Sequence, residues 1–562
     1  MTHYTGTGAS ARTAGFGCSG RVTVSRRLRV AGVVATLLVV QITCLAAIGR
    51  REPEPDQATI RYRLVAENNY PVNPNSALVE WQEDYIRSVL GVDVKFEFLY
   101  FERINERELL TLALMSGNVP DIFQGYPDPQ FRDFIAQGVL RPFDVLRLQE
   151  AAPTYYGTLT KYGGDSIWTY GEGPNGRQYG VPGISYDGQF HYVPVIRDDW
   201  LQNVGIDRFP VTLEEFERAF YAFRYDDPNG SGEMDTYALS DKGMAAIFGA
   251  FGGLPPLVRN RINWTLVDGR IDPAITNPDM RDALRLLASW YRDDLIDPEW
   301  ITGENRGDYW AMSYSFANGI IGFSMPGMHY HIAPPDLGVS GRDVYLPFHR
   351  SQGANASYTW TTLPVGPRGR SGAPQWGVIE GWYAVYGRQV PDVDLETWWR
   401  IAELLMADPL FTDASRFGVP GVQWDYDASG APQLLPGAPT EETHPERYAN
   451  VGLGANGIDR ISHLAWDSVT MRRLRSLPIF DFARKTASSG NGLPDLVWGD
   501  FPSKRLYFDT VVRLSRTAYT QYITGARDIN SDADWDAFVK SVNDAGLLVM
   551  TREAQEWYDR HR

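Results

Sequence analysis

Cysteine is almost missing from this chain: its 562 residues hold two, Cys18 and Cys44. No pair follows residue 44, so the bulk of the protein has no disulfide and must rely on its core, with metal as the other available staple. Positive charge is also scarce. Lys and Arg number 53 against 69 Asp and Glu, for a net charge of −16, which excludes a phosphate-backbone ligand because that demands clustered basic residues. Internal repeats are not visible. Two motifs are spelled but incomplete. His329 and His331 find no Cys or Glu-x-x-His partner, and a catalytic zinc needs three protein ligands. Gly171 to Gly176, GEGPNG, matches the dinucleotide spelling. It lacks the strand before and the helix after that would make it one, so Pro174-Asn175-Gly176 reads as a turn. The RQYGVP segment after it and the alternating Gln189 to Ile196 read as a β-hairpin.

What is present is a large globular content. With 43% hydrophobic residues the chain can bury a big core, and its length implies two or three domains. The 17 Trp and 30 Tyr exceed what a core requires, and flat amphipathic rings at a surface suit sugar faces or protein partners. Val30 to Gly49 is one apolar run behind Arg26, Arg27 and Arg29. It is close to the ~20 residues that span a bilayer, so 1–29 reads as cytoplasmic and 30–49 as an export signal or membrane anchor. Cys44 is a lipidation candidate, with simple anchoring as the other reading. Residues 50–58 are a linker.

From Thr59 the pattern is strand TIRYRLVA, helix 76–90, strand VDVKFEFLY, helix 103–116 and strand DIFQG. Such βαβαβ alternation predicts a largely parallel sheet flanked by helices, with ligands at the carboxyl ends of its strands. Thr212 and Glu215 form a capping box at the head of TLEEFERAFYAFR. Further expectations are a core helix over 278–293, a buried strand at Gly319 to Met325, a strand over 375–386, a helix over 397–407, and mostly helix in the remainder to Arg562.

After the capped helix comes DDPNGSGEMDTYALS, with oxygen-bearing residues at every second place: Asp227, Asn229, Ser231, Glu233 and Asp235. Calcium takes roughly 6 to 8 oxygen ligands, and a tight loop supplies them from positions 1, 3, 5, 7 (through its carbonyl) and 9. Gly232 stands at the sixth place, where the loop must turn. Position 12 is Ala238, so this is not a complete EF-hand. The other reading is an acidic turn built from ordinary turn residues.

Segments in this order resemble the extracellular solute-binding proteins of ABC importers, family 1, in the group that includes alginate-oligosaccharide binders. They are LALMSGNVPDIF (112–123), RQYGVP (177–182), IRDDWLQNVGI (196–206), the calcium-type loop, WYRDDLIDPEW (290–300), NGIIGFSM (318–325), EGWYAV (380–385), FGVPGVQWDYD (417–427) and Trp557-Tyr558-Asp559. The resemblance implies an α/β, two-lobed periplasmic-binding-protein-like fold (type II), each lobe a mixed, mostly parallel sheet with helices around it, with a hinge and a cleft. Lobes are expected at 59–185 plus about 315–375, and at 186–314 plus about 376–562. The loop 227–236 belongs to the second. Structural calcium is implied at Asp227, Asn229, Ser231, Glu233 and Asp235. The chain departs at Thr236, where the alginate binders place a ligating Glu.

A pyranose has an apolar CH face and a rim of hydroxyls, so its cleft needs aromatic platforms and hydrogen-bonding side chains. The candidates are Tyr70, Tyr126, Tyr186, Met325, Met328, His329, Trp382 and Trp466. A uronic ligand would add arginines such as Arg197 or Arg259, whose other reading is ordinary ion pairing. The resemblance implies an exported, non-enzymatic monomer at the cell surface or in the periplasm, with an oligosaccharide ligand, an ABC permease as partner and an N-terminal membrane attachment. A secreted glycosidase or a sugar sensor stands as the alternative, and a glycosidase would need two carboxylates at a set separation that no motif selects.

Overall fold

The structure is a computed structural model that describes residues 59–68, 77–102, 106–125, 129–184, 190–259, 261–302, 313–332, 344–375, 377, 379–438, 478–487, 490–497, 499 and 501–561. Thr59–Arg562 forms one compact unit. Its strands, in chain order, are β1 Ile60–Asn68, β2 Val94–Glu102, β3 Ile122–Gly125, β4 Gly180–Ile184, β5 Val193–Ile196, β6 Tyr237–Leu239, β7 Thr265–Val267, β8 Arg270–Asp272, β9 Ile321–Gly327, β10 Thr359–Trp360, β11 Ala373–Gln375, β12 Ile379–Tyr386, β13 Trp424–Tyr426, β14 Pro432–Leu434 and β15 Gly492–Pro494.

Two sheets organise them. The first runs β2-β1-β3-β12-β4, with β1 parallel to β2 and β3 and β12 antiparallel to β3 and β4. It confirms the βαβαβ start, because the helices Ala77–Leu90 and Glu106–Met115 make the crossovers that parallel strands require. The second sheet runs β10-β5-β9-β6; β6 is parallel to β9, and β5 is antiparallel to both β9 and β10.

Each sheet is the middle of its own core. Tyr62, Leu64 and Ile86 of the first lobe pack with Trp398, Trp399 and Phe411. In the second, Phe216, Phe220, Trp290 and Phe323 pack with Tyr519 and Trp557. The helix Leu213–Tyr225 shows why these residues fold this way: Leu213, Phe216, Ala219, Phe220 and Phe223 are buried at helical spacing while Glu214 faces out. Its Thr212 cap and Glu215 form the capping box the sequence announces. Phe220 meets Trp290 edge-on at 5.3 Å, and Trp290 donates its indole N–H to Glu217 at 2.7 Å. Burial of each such ring is worth about 1.5–3 kcal/mol.

Three expectations need correction. The lobe boundaries are exchanged in part: 321–360 carries β9 and β10 of the second sheet, whereas 379–386 is β12 of the first. The first lobe therefore takes back the chain at residue 379 and keeps it through the helices Asp392–Ala407 and Pro409–Phe417, and the second takes it again by Pro478–Ala487. The hairpin expected from RQYGVP and 189–196 does not form, since β4 pairs with β12 and β5 with β9 and β10. The local tight pairing is instead Glu172 with Gln178, closing the turn at Pro174-Asn175. The single strand expected over 375–386 divides into β11, paired with β15, and β12.

Candidate functional site

Three of the expected cleft residues follow strand ends of the first sheet in the sequence. β1 ends at Asn68, β3 at Gly125 and β4 at Ile184, and Tyr70, Tyr126 and Tyr186 follow those ends directly in the sequence. β12 starts at these ends from the opposite direction, with Ile379 opposite Ile184 and Tyr383 opposite Gly125, so Trp382 occupies a backbone position there. Tyr70, Tyr126, Tyr186 and Trp466 themselves lie outside the described residues, as does the side chain of Trp382.

The chain entering the second sheet is tied to the chain entering β12: His191 bridges Gln375 and Tyr192 donates to the Pro374 carbonyl at 2.8 Å. β5 opens with Val193 opposite Gly327, the last residue of β9, and residues 185–192 connect β4 to β5. Met328 and the short helix His329–Ile332 follow β9. Met325, Met328 and His329 are 1%, 4% and 7% exposed. Met325 belongs to the large core, which corrects its expected place as a cleft contact: strand alternation on a sheet covered on both faces buries it. His329 stands edge-on to Phe190 at 5.6 Å and to Phe480 at 5.3 Å, and His331 is 2% exposed. Both histidines are packing residues. Among the described residues no group of three His, Cys, Asp or Glu is gathered as for a metal.

Arg197 is also not a free cation at a cleft. It is 3% exposed, donates to both Asp199 carboxylate oxygens at 2.8 and 2.6 Å, and lies 4.5 Å over the Trp200 ring. A uronate would have to compete with a two-point, desolvated ion pair. Arg259 ends the short helix Pro256–Arg259, and its side chain lies outside the described residues.

The loop after the helix Leu213–Tyr225 draws its five expected donors together. Asp227 sits at φ 48°, Gly230 at 68° and Gly232 at 79°, left-handed positions that curl the backbone inward and that Asp and Gly tolerate best. The Asp227 carboxylate accepts from the Ser231 and Gly232 amides at 3.0 and 2.9 Å. Ser231 Oγ donates to Asp235 Oδ1 at 3.1 Å and to the Glu233 carbonyl at 3.3 Å, and Asn229 Nδ2 reaches Asp235 Oδ1 at 3.0 Å. The loop is thus closed by hydrogen bonds among its own side chains and amides, with Asn229 Oδ1 accepting from the Ser231 amide at 3.2 Å. Thr236 takes no part, since its hydroxyl donates to the Phe223 carbonyl at 2.7 Å in a position 1% exposed.

No family model matches the chain. In sequence it is similar to the fructooligosaccharide ABC transporter substrate-binding protein FusA of Streptococcus pneumoniae serotype 4 (strain ATCC BAA-334 / TIGR4), with 22% identity over 305 residues, 47% of this chain and 52% of FusA. The chain therefore aligns with about half the length of that relative. In structure it is similar to the S. pneumoniae FusA complex with kestose, with a TM-score of 0.62 at 17% identity over 90% of this chain and 99% of that one. A FusA EF-hand mutant in complex with fructo-nystose gives a TM-score of 0.60 at 18% identity over the same shares. The alginate-binding protein AlgQ2 without calcium ion also gives 0.60, at 16% identity over 90% and 99%. In sequence over part of its length, and in fold over most of it, the chain is similar to these substrate-binding proteins.

Proposed function

We propose that this chain is the extracytoplasmic substrate-binding component of an ABC transporter, taking an oligosaccharide between its two lobes and presenting it to a membrane permease. The observation that carries this reading is the junction between the two sheets, where the chain entering β5 is tied to the chain entering β12: His191 bridges Gln375, and Tyr192 donates its N–H to the Pro374 carbonyl at 2.8 Å. In open α/β sheets ligands gather at carboxyl edges, and the residues following strand ends here are aromatic. Tyr70, Tyr126, Tyr186, Trp382 and Trp466 are proposed as the sugar platforms, with Met328 and His329 as their backing. The relatives named for kestose, fructo-nystose and alginate make an oligosaccharide the favoured class. A neutral sugar fits better than a uronic one, because Arg197 is already committed to Asp199.

Calcium is proposed as a structural ion of the second lobe, held by Asp227, Asn229, Ser231, the Glu233 carbonyl and Asp235. It would neutralise two carboxylates and pin the turn between the helix Leu213–Tyr225 and β6, without touching the sugar. Catalysis is not part of the proposal. Neither is a fixed mode of attachment: residues 30–49 and Cys44 offer an anchor or a lipidation site, the chain is taken as a monomer at the cell surface or in the periplasm, and these residues lie outside the described ones.

The deciding experiment is a thermal-shift and calorimetric screen of neutral and uronic oligosaccharides, with and without calcium, on the fragment Thr59–Arg562. A saturable rise in melting temperature with a neutral oligosaccharide is expected. Release of reducing sugar from any of them would replace the binding reading with a hydrolase.

A further inference from the structure

The closing helix Leu547–His561 belongs to the second lobe, yet its last turns rest on the first. Tyr170 lies in the 3-10 turn Asp165–Gly171, which the backbone bond from Tyr179 to Gly171 at 3.0 Å ties to the approach to β4. Its ring flanks the first-lobe cluster of Phe123, Phe134 and Tyr383 and also flanks the large second-lobe core. Trp557 meets it edge-on at 5.7 Å. His561 stacks on Trp557 at 4.1 Å, nearly parallel at 12°, and lies 6.1 Å from Tyr170. Trp557 is held from behind: it is 5% exposed, and its indole covers Gly499 so closely that a Cβ there would stand 1.9 Å from Nε1. Tyr170 thus packs against both cores, and Trp557 is seated in the second.

We propose that the Tyr170–Trp557–His561 stack is an interlobe clasp, which holds the lobes at the angle seen here and loosens when the His561 imidazole takes up a proton. The proposal rests on the reading that the lobes move to admit a ligand. Such a contact biases a two-state hinge only by the free energy it adds to one state.

The chemistry around His561 sets the sign. Burial against the two rings holds its imidazole below the ordinary value. The Trp557 carbonyl, 2.6 Å from Nδ1, and Glu172 oppose this; Arg560 on the same helix and Arg132 from the helix Pro129–Ala136 add to the lowering. Burial first, and then the neighbouring Tyr558 hydroxyl, hold the Tyr170 phenol above its ordinary value. A base whose value is lowered in the docked state is neutral there, and the separated state binds the proton more readily as pH falls below about 6.5. The clasp is therefore complete at neutral pH and lost on acidification.

The test uses the full-length protein in detergent, with Cys18 and Cys44 replaced by serine and spin labels on cysteines introduced at Glu150 of the first lobe and Asp536 of the second, both exposed. Label-to-label distances are measured by double electron–electron resonance with no sugar present. Tyr170→Ala and His561→Ala are expected to shift and broaden the distance distribution at about pH 7.5. The unsubstituted protein should do the same between about pH 7.5 and about pH 5.5. His561→Phe, which keeps a ring and cannot titrate, should preserve the neutral-pH distribution and abolish the acid response. Distributions unchanged in Tyr170→Ala and His561→Ala, or a parent protein insensitive to pH, would overturn the clasp. Because no ligand enters the measurement, failure to bind any sugar would count against the proposed function and leave this result standing.

Discussion

Thr236 sits inside the calcium-type loop and turns away from it, donating its hydroxyl to the Phe223 carbonyl at 2.7 Å. Its neighbour Asp235 faces the other way, toward Ser231 and Asn229. The loop's donor set therefore ends at Asp235. Thr236→Val leaves a buried carbonyl without its partner and is expected to cost about 1–2 kcal/mol of stability. Urea unfolding would show an equal loss with and without calcium, because Thr236 is not a ligand.

Asp227→Ala and Asp235→Ala remove the two carboxylates of the loop. The parent protein should gain stability from calcium, about 2.7 kcal/mol at a free concentration one hundred times the Kd, and both variants should lose that gain. Differential scanning calorimetry in chelator and in calcium measures it. Sugar affinity, followed by titration calorimetry in calcium, is expected to change little in either variant that remains folded.

Arg197 is buried and doubly hydrogen-bonded to the partly buried Asp199. Arg197→Ala takes the cation from the partly buried Asp199 carboxylate, which keeps the Trp200 amide at 2.9 Å, and should destabilise the second lobe by about 1–3 kcal/mol. A uronate-specific loss of binding with unchanged stability would place this side chain at the ligand instead. Chemical denaturation alongside a binding titration separates the two outcomes.

Glu215 receives the backbone N–H groups of Val211 and Thr212, which hold its carboxyl below the usual range, burial opposing and Arg208 and Arg218 assisting. A lowered carboxylate value means that the native state releases its proton first. The contribution is present above about pH 4.3 and lost as pH falls through the lower native value. Stability measured across that acid window should decline less steeply in Glu215→Gln than in the parent.

Trp382→Ala tests the first-sheet edge. If its ring stacks on a sugar face, affinity for the best oligosaccharide of the screen should fall roughly tenfold, about 1.4 kcal/mol, with stability in the absence of sugar little changed. Unchanged affinity removes Trp382 from the site.

Much of the fold was legible in the sequence where the signal is local. The Thr212–Glu215 box is three residues wide, the Phe216, Phe220 and Phe223 stripe has the helical period, and the donors from Asp227 to Asp235 converge because alternation and two left-handed glycines curl a short loop by themselves. Parallel pairing of β1, β2 and β3 was readable for a related reason, since an intervening helix leaves a strand few ways to return. The cleft was less legible. Met325 looked like a strand-end residue in a soft cluster, but whether such a residue faces a ligand or a core depends on what covers the second face of its sheet, and here that cover includes helices from the far end of the chain.

Partners distant in sequence were decided only by the tertiary structure. Nothing in residues 379–386 says that they pair with β3 and β4, more than 190 residues earlier, while 321–327 pairs in the other sheet. A strand's own alternation specifies its two faces and leaves its edges anonymous. The same holds for Arg197, whose partner two residues away could be guessed and whose burial could not, and for Tyr170 and Trp557, which meet across 387 residues. Local spacing set the helices, caps and loop; the choice of which buried faces meet was left to packing, where the gain from excluding water depends on every surface the folded chain brings together.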